Sequence, residues 1–240
     1  MLKQQKVKSQ GKTYSLKDYD IENYGYATYS DAPVHDSGEF RKARSMMPFE
    51  YLDKTGKDFD WKIYGVDTEF QGKLANAFIV NFDKFRAEGK GLYIHSLIRG
   101  SGKTMLACCL LNETVKRYDV SVKFINVLDY LELTKKGYSS MEDKEEKQSI
   151  LGATVLVLDD MGVEVNKAWI DTTLYQLINF RYSSKLITII TSNLPLEELK
   201  VDDRIKDRLN AMCIDLKIPD VSIRGKKAAD NNTEFMNSIM

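Results

Sequence analysis

The residues best suited to do chemistry in this 240-residue chain stand in the stretch HSLIRGSGKTMLA, residues 95–107. Gly100, Ser101 and Gly102 are small enough for a backbone turn to approach a bulky anion, and Lys103 and Thr104 follow at once. If a helix begins there, its free N–H groups face phosphate oxygens. The Lys103 ammonium then reaches the β- and γ-phosphates of a nucleotide such as ATP, and the Thr104 hydroxyl ligates Mg2+. The tripeptide Gly-Lys-Thr is common by itself. The full pattern G-x-x-x-x-G-K-[ST] also asks for glycine five places before Gly102, where this chain has Leu97. The tight part of the loop is kept, so Leu97 alters only how the chain leaves the preceding strand.

A second candidate is TVLVLDD, an apolar run that ends in Asp159 and Asp160. Two adjacent carboxylates at the end of a buried segment are costly unless a cation lies near. Asp159 is expected in the shell of the Mg2+. Asp160 is expected to polarise an attacking water, with the shorter reach of Asp compared with Glu giving slow intrinsic hydrolysis. In TIITSN, Asn193 could orient that water, although Asn before Leu194-Pro195 is also an ordinary turn former. In DRIKDRL, Arg204 and Arg208 are four apart and share a helical face. They could pair with Asp203 or Asp207, or act as arginine fingers on the ATP of a neighbouring subunit.

These residues need a scaffold that brings several strand ends together. GLYIHS (91–96), ATVLVLDD (153–160) and LITIITSN (186–193) are near-continuous apolar runs, as in strands buried on both faces. VSVKFINV (120–127) alternates, and CIDLKI (213–218) reads as a last strand. Helical spacing appears between them at 74–85, 102–118, 128–136, 170–178 and 202–213, with a charged segment at 141–150. Strands alternating with helices predict an α/β fold, a parallel sheet flanked by helices. Asn193 is expected at the end of a strand lying between the phosphate-loop strand and the Asp159 strand. Residues 1–45, with four lysines by position 12 and five tyrosines, lack this periodicity and read as a flexible or partner-binding arm ahead of one domain at 46–240.

Composition sets limits. Lys+Arg and Asp+Glu both number 35, so a uniformly basic coat for nucleic acid is excluded and any such contact must be local. Cys108, Cys109 and Cys213 have no metal-ligand or disulfide spacing. The N-terminus has no apolar segment of the signal-peptide kind, and no run is long enough to span a membrane, so a cytoplasmic protein is expected.

In order, GSGKT, LVLDDMG, TIITSN, DRIKDRL and DVSIR resemble the AAA+ ATPases of the DnaC/DnaI helicase-loader family over roughly residues 47–225. The resemblance implies a P-loop NTPase sheet without a separate helical lid. It implies Gly100, Ser101, Gly102, Lys103, Thr104 and Asp159 around Mg·ATP, Asp160 and Asn193 at the water, and Arg208 with Arg204 as fingers supplied in trans. Arg224, in SIR, is a further phosphate contact by the same resemblance. Implied partners are a hexameric replicative helicase, single-stranded DNA and further copies of the chain assembled through ATP. Two readings of other kinds remain beside it: a transposition helper of the IstB type that binds duplex DNA, and a nucleotide-gated adaptor with vestigial catalysis. Single-stranded DNA is expected at Lys135, Lys136 and Tyr138, which combine charge with a stacking face, although four acidic residues follow at 142–146.

Each phosphate contacted on a single strand contributes about −0.7 to the log–log salt dependence of binding. Replacing Lys135 and Lys136 together by Ala is therefore expected to make that slope shallower. Titration of single-stranded DNA binding against salt, with ATP present, checks this, and an unchanged slope places the DNA elsewhere.

Overall fold

The computed structural model describes residues 6–9, 12–15, 38–135, 141–162 and 168–239. Five strands form the central sheet: β3 (Gly91–His95), β4 (Val122–Asn126), β5 (Val155–Met161), β6 (Ile187–Ser192) and β7 (Cys213–Lys217). Their order is β4-β5-β6-β3-β7 and every neighbouring pair is parallel. The expected parallel α/β sheet is thus present. β6 lies between β3 and β5, as the reading of Asn193 requires.

The apolar runs are continuous because each face of the sheet has its own core, and successive residues serve them in turn. Leu92, Ile94, Val155, Val157, Ile187 and Ile189 pack on one side with Phe78, Ile79, Leu106, Cys108 and Leu111. Those partners come from α2 (Glu69–Val80) and α4 (Lys103–Arg117). Tyr93, Leu156, Leu158 and Ile190 face the other way, against Tyr130, Leu174, Leu177 and Leu209. These belong to α5 (Val127–Lys135), α7 (Ala168–Ser183) and α8 (Asp203–Met212). β3 must begin with glycine, since a Cβ at Gly91 would lie 1.8 Å from the Thr188 carbonyl oxygen. Among the described residues no helix is long and apolar enough to cross a membrane.

Three features depart from the sequence expectation. The apolar spacing at 74–85 is not one helix: α2 stops at Asn81, and α3 (Phe82–Glu88) starts beyond it. The break turns Phe82 fully into the core, where it stacks on Tyr118 at 4.5 Å and meets Phe78 edge-on. The charged segment forms α6 (Met141–Gly152), anchored by buried Ile150. Ahead of the domain, β1 (Lys6–Ser9) and β2 (Lys12–Ser15) form an antiparallel hairpin, and α1 (Gly38–Ala43) packs on the body. The Arg41 guanidinium donates to the Val115 and Tyr118 carbonyls near the end of α4 and pairs with Asp119. The carbonyl of buried Ser45 accepts the Phe124 N–H at 2.6 Å. Among the described residues, packing against the body thus extends to residues ahead of 46, where a single arginine and one edge hydrogen bond leave no periodicity to read. One helix, α9 (Arg224–Ile239), follows β7.

The strand ends opposite the candidate site are tied by Arg181, which is fully buried on α7. Its guanidinium donates to the Leu151, Ala153 and Ile187 carbonyls at 2.9, 2.9 and 2.6 Å and to the Thr188 hydroxyl at 2.9 Å. One side chain therefore joins the end of α6 to the starts of β5 and β6. Arg181→Met keeps the length and removes the donors. Each orphaned buried acceptor costs about 1–3 kcal/mol, so a loss of about 3 kcal/mol or more is expected in chemical denaturation.

Candidate active site

A parallel sheet places the C-terminal ends of its strands along one edge, where loops converge. Here β3 leads into the loop 96–102, β5 ends on Asp159-Asp160-Met161, and β6 ends just before Asn193. A cavity of about 810 Å³ opens at that edge. Gly100, Ser101, Gly102, Lys103, Thr104, Asp159, Asp160, Asn193 and Arg224 all line it, so nine of the residues singled out from the sequence meet in one place.

The loop is held from outside. Gly100 and Gly102 have φ of 74° and 97°, where a Cβ is strained, and a Cβ at Gly102 would lie 2.9 Å from the Ile223 side chain. The Ser101 carbonyl accepts the Tyr64 hydroxyl at 2.6 Å. The Gly100 carbonyl accepts the N–H groups of Ile223 and Arg224 at 2.9 and 3.1 Å, which hooks the start of α9 onto the loop. Leu97 is not among the residues with positive φ, so this position has no need of glycine. Its N–H donates to Asp220 Oδ1 at 2.7 Å, and the Ser96 hydroxyl donates to the same oxygen at 2.9 Å. Burial pushes the Asp220 carboxyl up, but these two donors and Lys217 hold it below its ordinary range.

Inside the loop Lys103 is 7% exposed. Its Nζ donates to the Ser96 and Ile98 carbonyls at 3.2 and 3.0 Å and lies 3.1 Å from Ser101 Oγ. Burial lowers its pKa against the pull of Asp160 and Asp159. The Thr104 hydroxyl donates to Asp159, 3.0 Å from Oδ1. Burial raises the Asp159 pKa, against hydrogen bonds from the Thr191 and Thr104 hydroxyls. A buried carboxylate beside a hydroxyl is the hard-oxygen donor set that Mg2+ takes, and a buried ammonium in a glycine loop suits phosphate. The residues fit Mg·ATP.

Asp160 and Asn193 are also joined, the Asn193 amide donating to Asp160 Oδ1 at 2.8 Å. Arg204 and Arg208 stand apart from the cavity, on α8. Both guanidiniums stack on the Tyr175 ring, at 4.6 and 4.7 Å from its centroid. Arg204 pairs with Asp202, not with the expected Asp203 or Asp207, because Asp202 caps the helix and its carboxylate already faces the first turn. Arg208 donates to Asn179 Oδ1 at 2.8 Å and to the Tyr175 hydroxyl at 2.9 Å. Lys135 ends α5 and is exposed, whereas Lys136 and Tyr138 lie outside the described residues.

Sequence reasoning missed the outer wall of the cavity. Glu50, Tyr51, Lys54 and Asp58 line it from a segment with little regular structure. Asn112 of α4 holds that segment by donating to the Tyr51 and Lys54 carbonyls at 2.8 and 2.7 Å. It also missed Thr191, one of three hydroxyl residues in β6 beside Thr188 and Ser192, so its type alone does not set it apart.

An acid whose pKa is raised in the folded state contributes stability below its unfolded pKa and loses it as pH rises through the folded value. Ionised Asp159 therefore weakens the nucleotide-free fold at neutral pH. Asp159→Asn is expected to leave the thermal midpoint at pH 7 unchanged or higher. Mg2+-dependent binding of an ATP analogue should meanwhile fall at least about tenfold, the equivalent of one lost charge-assisted contact. Thermal melts and analogue titration with and without Mg2+ check the two halves.

Residues 94–230, more than half of the chain, match the family described as IstB-like ATP binding protein. The chain is 29% identical to the replicative helicase loader DnaI of Bacillus subtilis (strain 168) over 184 residues, 72% of this chain and 56% of that protein. It thus spans little more than half the length of that relative. It is also 29% identical to the replicative helicase loader DnaC of Escherichia coli (strain K12) over 181 residues, 70% of this chain and 72% of DnaC. A crystal structure of DnaI superposes with a TM-score of 0.62 at 25% identity, covering 72% of this chain and 95% of that one. AMPPCP-bound DnaA from Aquifex aeolicus shares the fold, with a TM-score of 0.58 at 18% identity over 72% of this chain and 52% of DnaA. A five-stranded parallel sheet, a glycine loop opening a helix at its C-terminal edge and the match over 94–230 lead to one conclusion: the chain belongs to the IstB-like ATP-binding proteins, as a P-loop AAA+ ATPase of the DnaC/DnaI kind.

Proposed function

We propose that this chain is an ATP-dependent loader of a replicative helicase, which assembles with further copies of itself on Mg·ATP and releases its cargo on hydrolysis. The observation that carries the reading is the convergence of Lys103, Thr104, Asp159, Asp160, Asn193 and Arg224 on one cavity, in a chain whose relatives include two replicative helicase loaders. On binding, Lys103 exchanges the loop's own carbonyls for phosphate oxygens. Thr104 and Asp159 hold the cation, which neutralises phosphate charge when bound. Asp160 and Asn193 position the water, and Asn193 must first loosen its bond to Asp160, so turnover is slow. Arg208, with Arg204 beside it, serves the nucleotide of a neighbouring subunit from its Tyr175 platform. Single-stranded DNA runs past Lys135, Lys136 and Tyr138, and the arm at residues 1–45 meets the helicase.

The family match favours a second reading, a transposition helper that binds duplex DNA. The two separate in one measurement. Full-length protein is expected to co-migrate with the replicative helicase of its host in ATP and not in ADP. Lys103→Ala is expected to lose that co-migration, since truncating a charge-assisted contact worth about 1.5–3 kcal/mol weakens ATP binding roughly 10- to 150-fold. Nucleotide-dependent binding of duplex DNA with no helicase contact selects the second reading.

A further inference from the structure

The two carboxylates of the site pose a geometric problem. Neighbouring residues on a regular strand point to opposite faces of the sheet, yet Asp159 and Asp160 both line the same cavity. The ladder between β5 and β6 shows how this is done. Leu158 pairs with Ile190 and Met161 with Ser192, so Asp159 and Asp160 together oppose the single residue Thr191. Asp160 sits at φ 59°, in the left-handed region. A bulge of this kind re-aims a side chain and leaves a backbone N–H without its ladder partner.

Thr191 supplies that partner. The Asp160 N–H donates to Thr191 Oγ1 at 2.9 Å, and the same hydroxyl donates to Asp159 Oδ1 at 2.6 Å. The direction is fixed, because an N–H can only donate and a hydroxyl has one hydrogen to give. Thr191 is 1% exposed, so its hydroxyl is committed to these two protein partners. One hydroxyl therefore sets the backbone of one acid and the carboxylate of the other. The next two residues of the chain complete the stitch. The Ser192 hydroxyl donates to the Met161 carbonyl at 2.7 Å, and Asn193 bonds the Asp160 carboxylate.

We propose that Thr191 is the positioning residue that holds Asp159 and Asp160 in register for one cation and its phosphate, fixing the Asp159 carboxylate through Oδ1. The proposal rests on the Mg·ATP reading of the cavity. It assigns Thr191 no contact with the nucleotide, so its loss acts on the metal-dependent part of binding and leaves the metal-free part alone.

The test compares Thr191→Val, a β-branched side chain of the same shape without the hydroxyl, with Thr191→Ser, which keeps it. A fluorescent ATP analogue is titrated in Mg2+ and in EDTA, and Mn2+ occupancy is followed by electron paramagnetic resonance in the presence of nucleotide. Wild type is expected to bind more tightly in Mg2+. Thr191→Val should lose about tenfold of that gain and weaken Mn2+ occupancy, with affinity in EDTA unchanged within about twofold. Thr191→Ser should restore both. Thr191→Cys, a weaker donor and acceptor of similar size, should fall between, and it carries the test if the valine variant does not fold. A Mg2+ gain equal to wild type in the valine or cysteine variant overturns the proposal, as does an equal loss in Mg2+ and EDTA. Absence of any Mg2+-dependent analogue binding in wild type would instead overturn the reading of the cavity.

Discussion

Two acids in a row on a buried strand, both needed on the same side, constrain this structure more than any other feature. A regular strand would send one of them into the opposite core, among Leu156, Leu158 and Ile190. The bulge at the end of β5 removes that conflict, and Asp160 takes a left-handed backbone to do so. A non-glycine residue there costs roughly 1–2 kcal/mol. Hydrogen bonds with Thr191, Ser192 and Asn193 offset that cost, and these three residues close and follow the end of β6. This is why β6 must lie directly beside β5, and why the strand order places it between β5 and β3. With β3 on its other side, the glycine loop comes within reach of the same two acids, and Thr104 meets Asp159.

The cavity holds charge of both signs that burial disfavours. Lys103 is driven toward neutrality and held by neutral oxygens of its own loop, while Asp159 is driven toward protonation and held by hydroxyls. Neither buried charge has a direct counterion among the described ion pairs. A ligand bearing an anion toward one end and a cation toward the other relieves both at once. That is a more demanding criterion than either charge alone, and it is why the tripeptide Gly-Lys-Thr says little until the acids are found opposite it.

Much of this was legible in the sequence, for identifiable reasons. Strands buried on both faces announce themselves as aliphatic runs, and polar residues at their ends stand out against them, which exposed Asp159, Asp160 and Asn193. Lys103 and Thr104 were legible because helix, loop and strand adjoin in sequence. What escaped depends on contacts between distant segments. The N–H of Leu97 finds its acceptor 123 residues away in Asp220, so the sequence shows the departure from the glycine pattern but not the contact that holds it. Tyr64 and Asn112 act on backbone carbonyls, which carry no sequence signature. Asn81 broke an apolar rhythm that seemed unbroken, because the gain lies in seating Phe82 in the core. The packed helix ahead of residue 46 was hidden for the same reason as Arg41's role: its partners are carbonyls at the end of another helix.

Arg181 bears on how the molecule responds to ionic strength. Its charge is solvated by a cage of backbone dipoles, with Thr188 the one side chain among its hydrogen-bond partners. Dissolved ions compete with surface ion pairs but do not reach a guanidinium fully enclosed by protein. The exposed charges at the opposite edge, Arg204 with Asp202 and Lys217 with Asp220, lie in the screened regime. The sheet is thus fastened at one end by an interaction indifferent to salt, while the end that meets nucleotide and partners remains open to it. Changes of medium that alter what the protein binds leave the platform beneath the site in place.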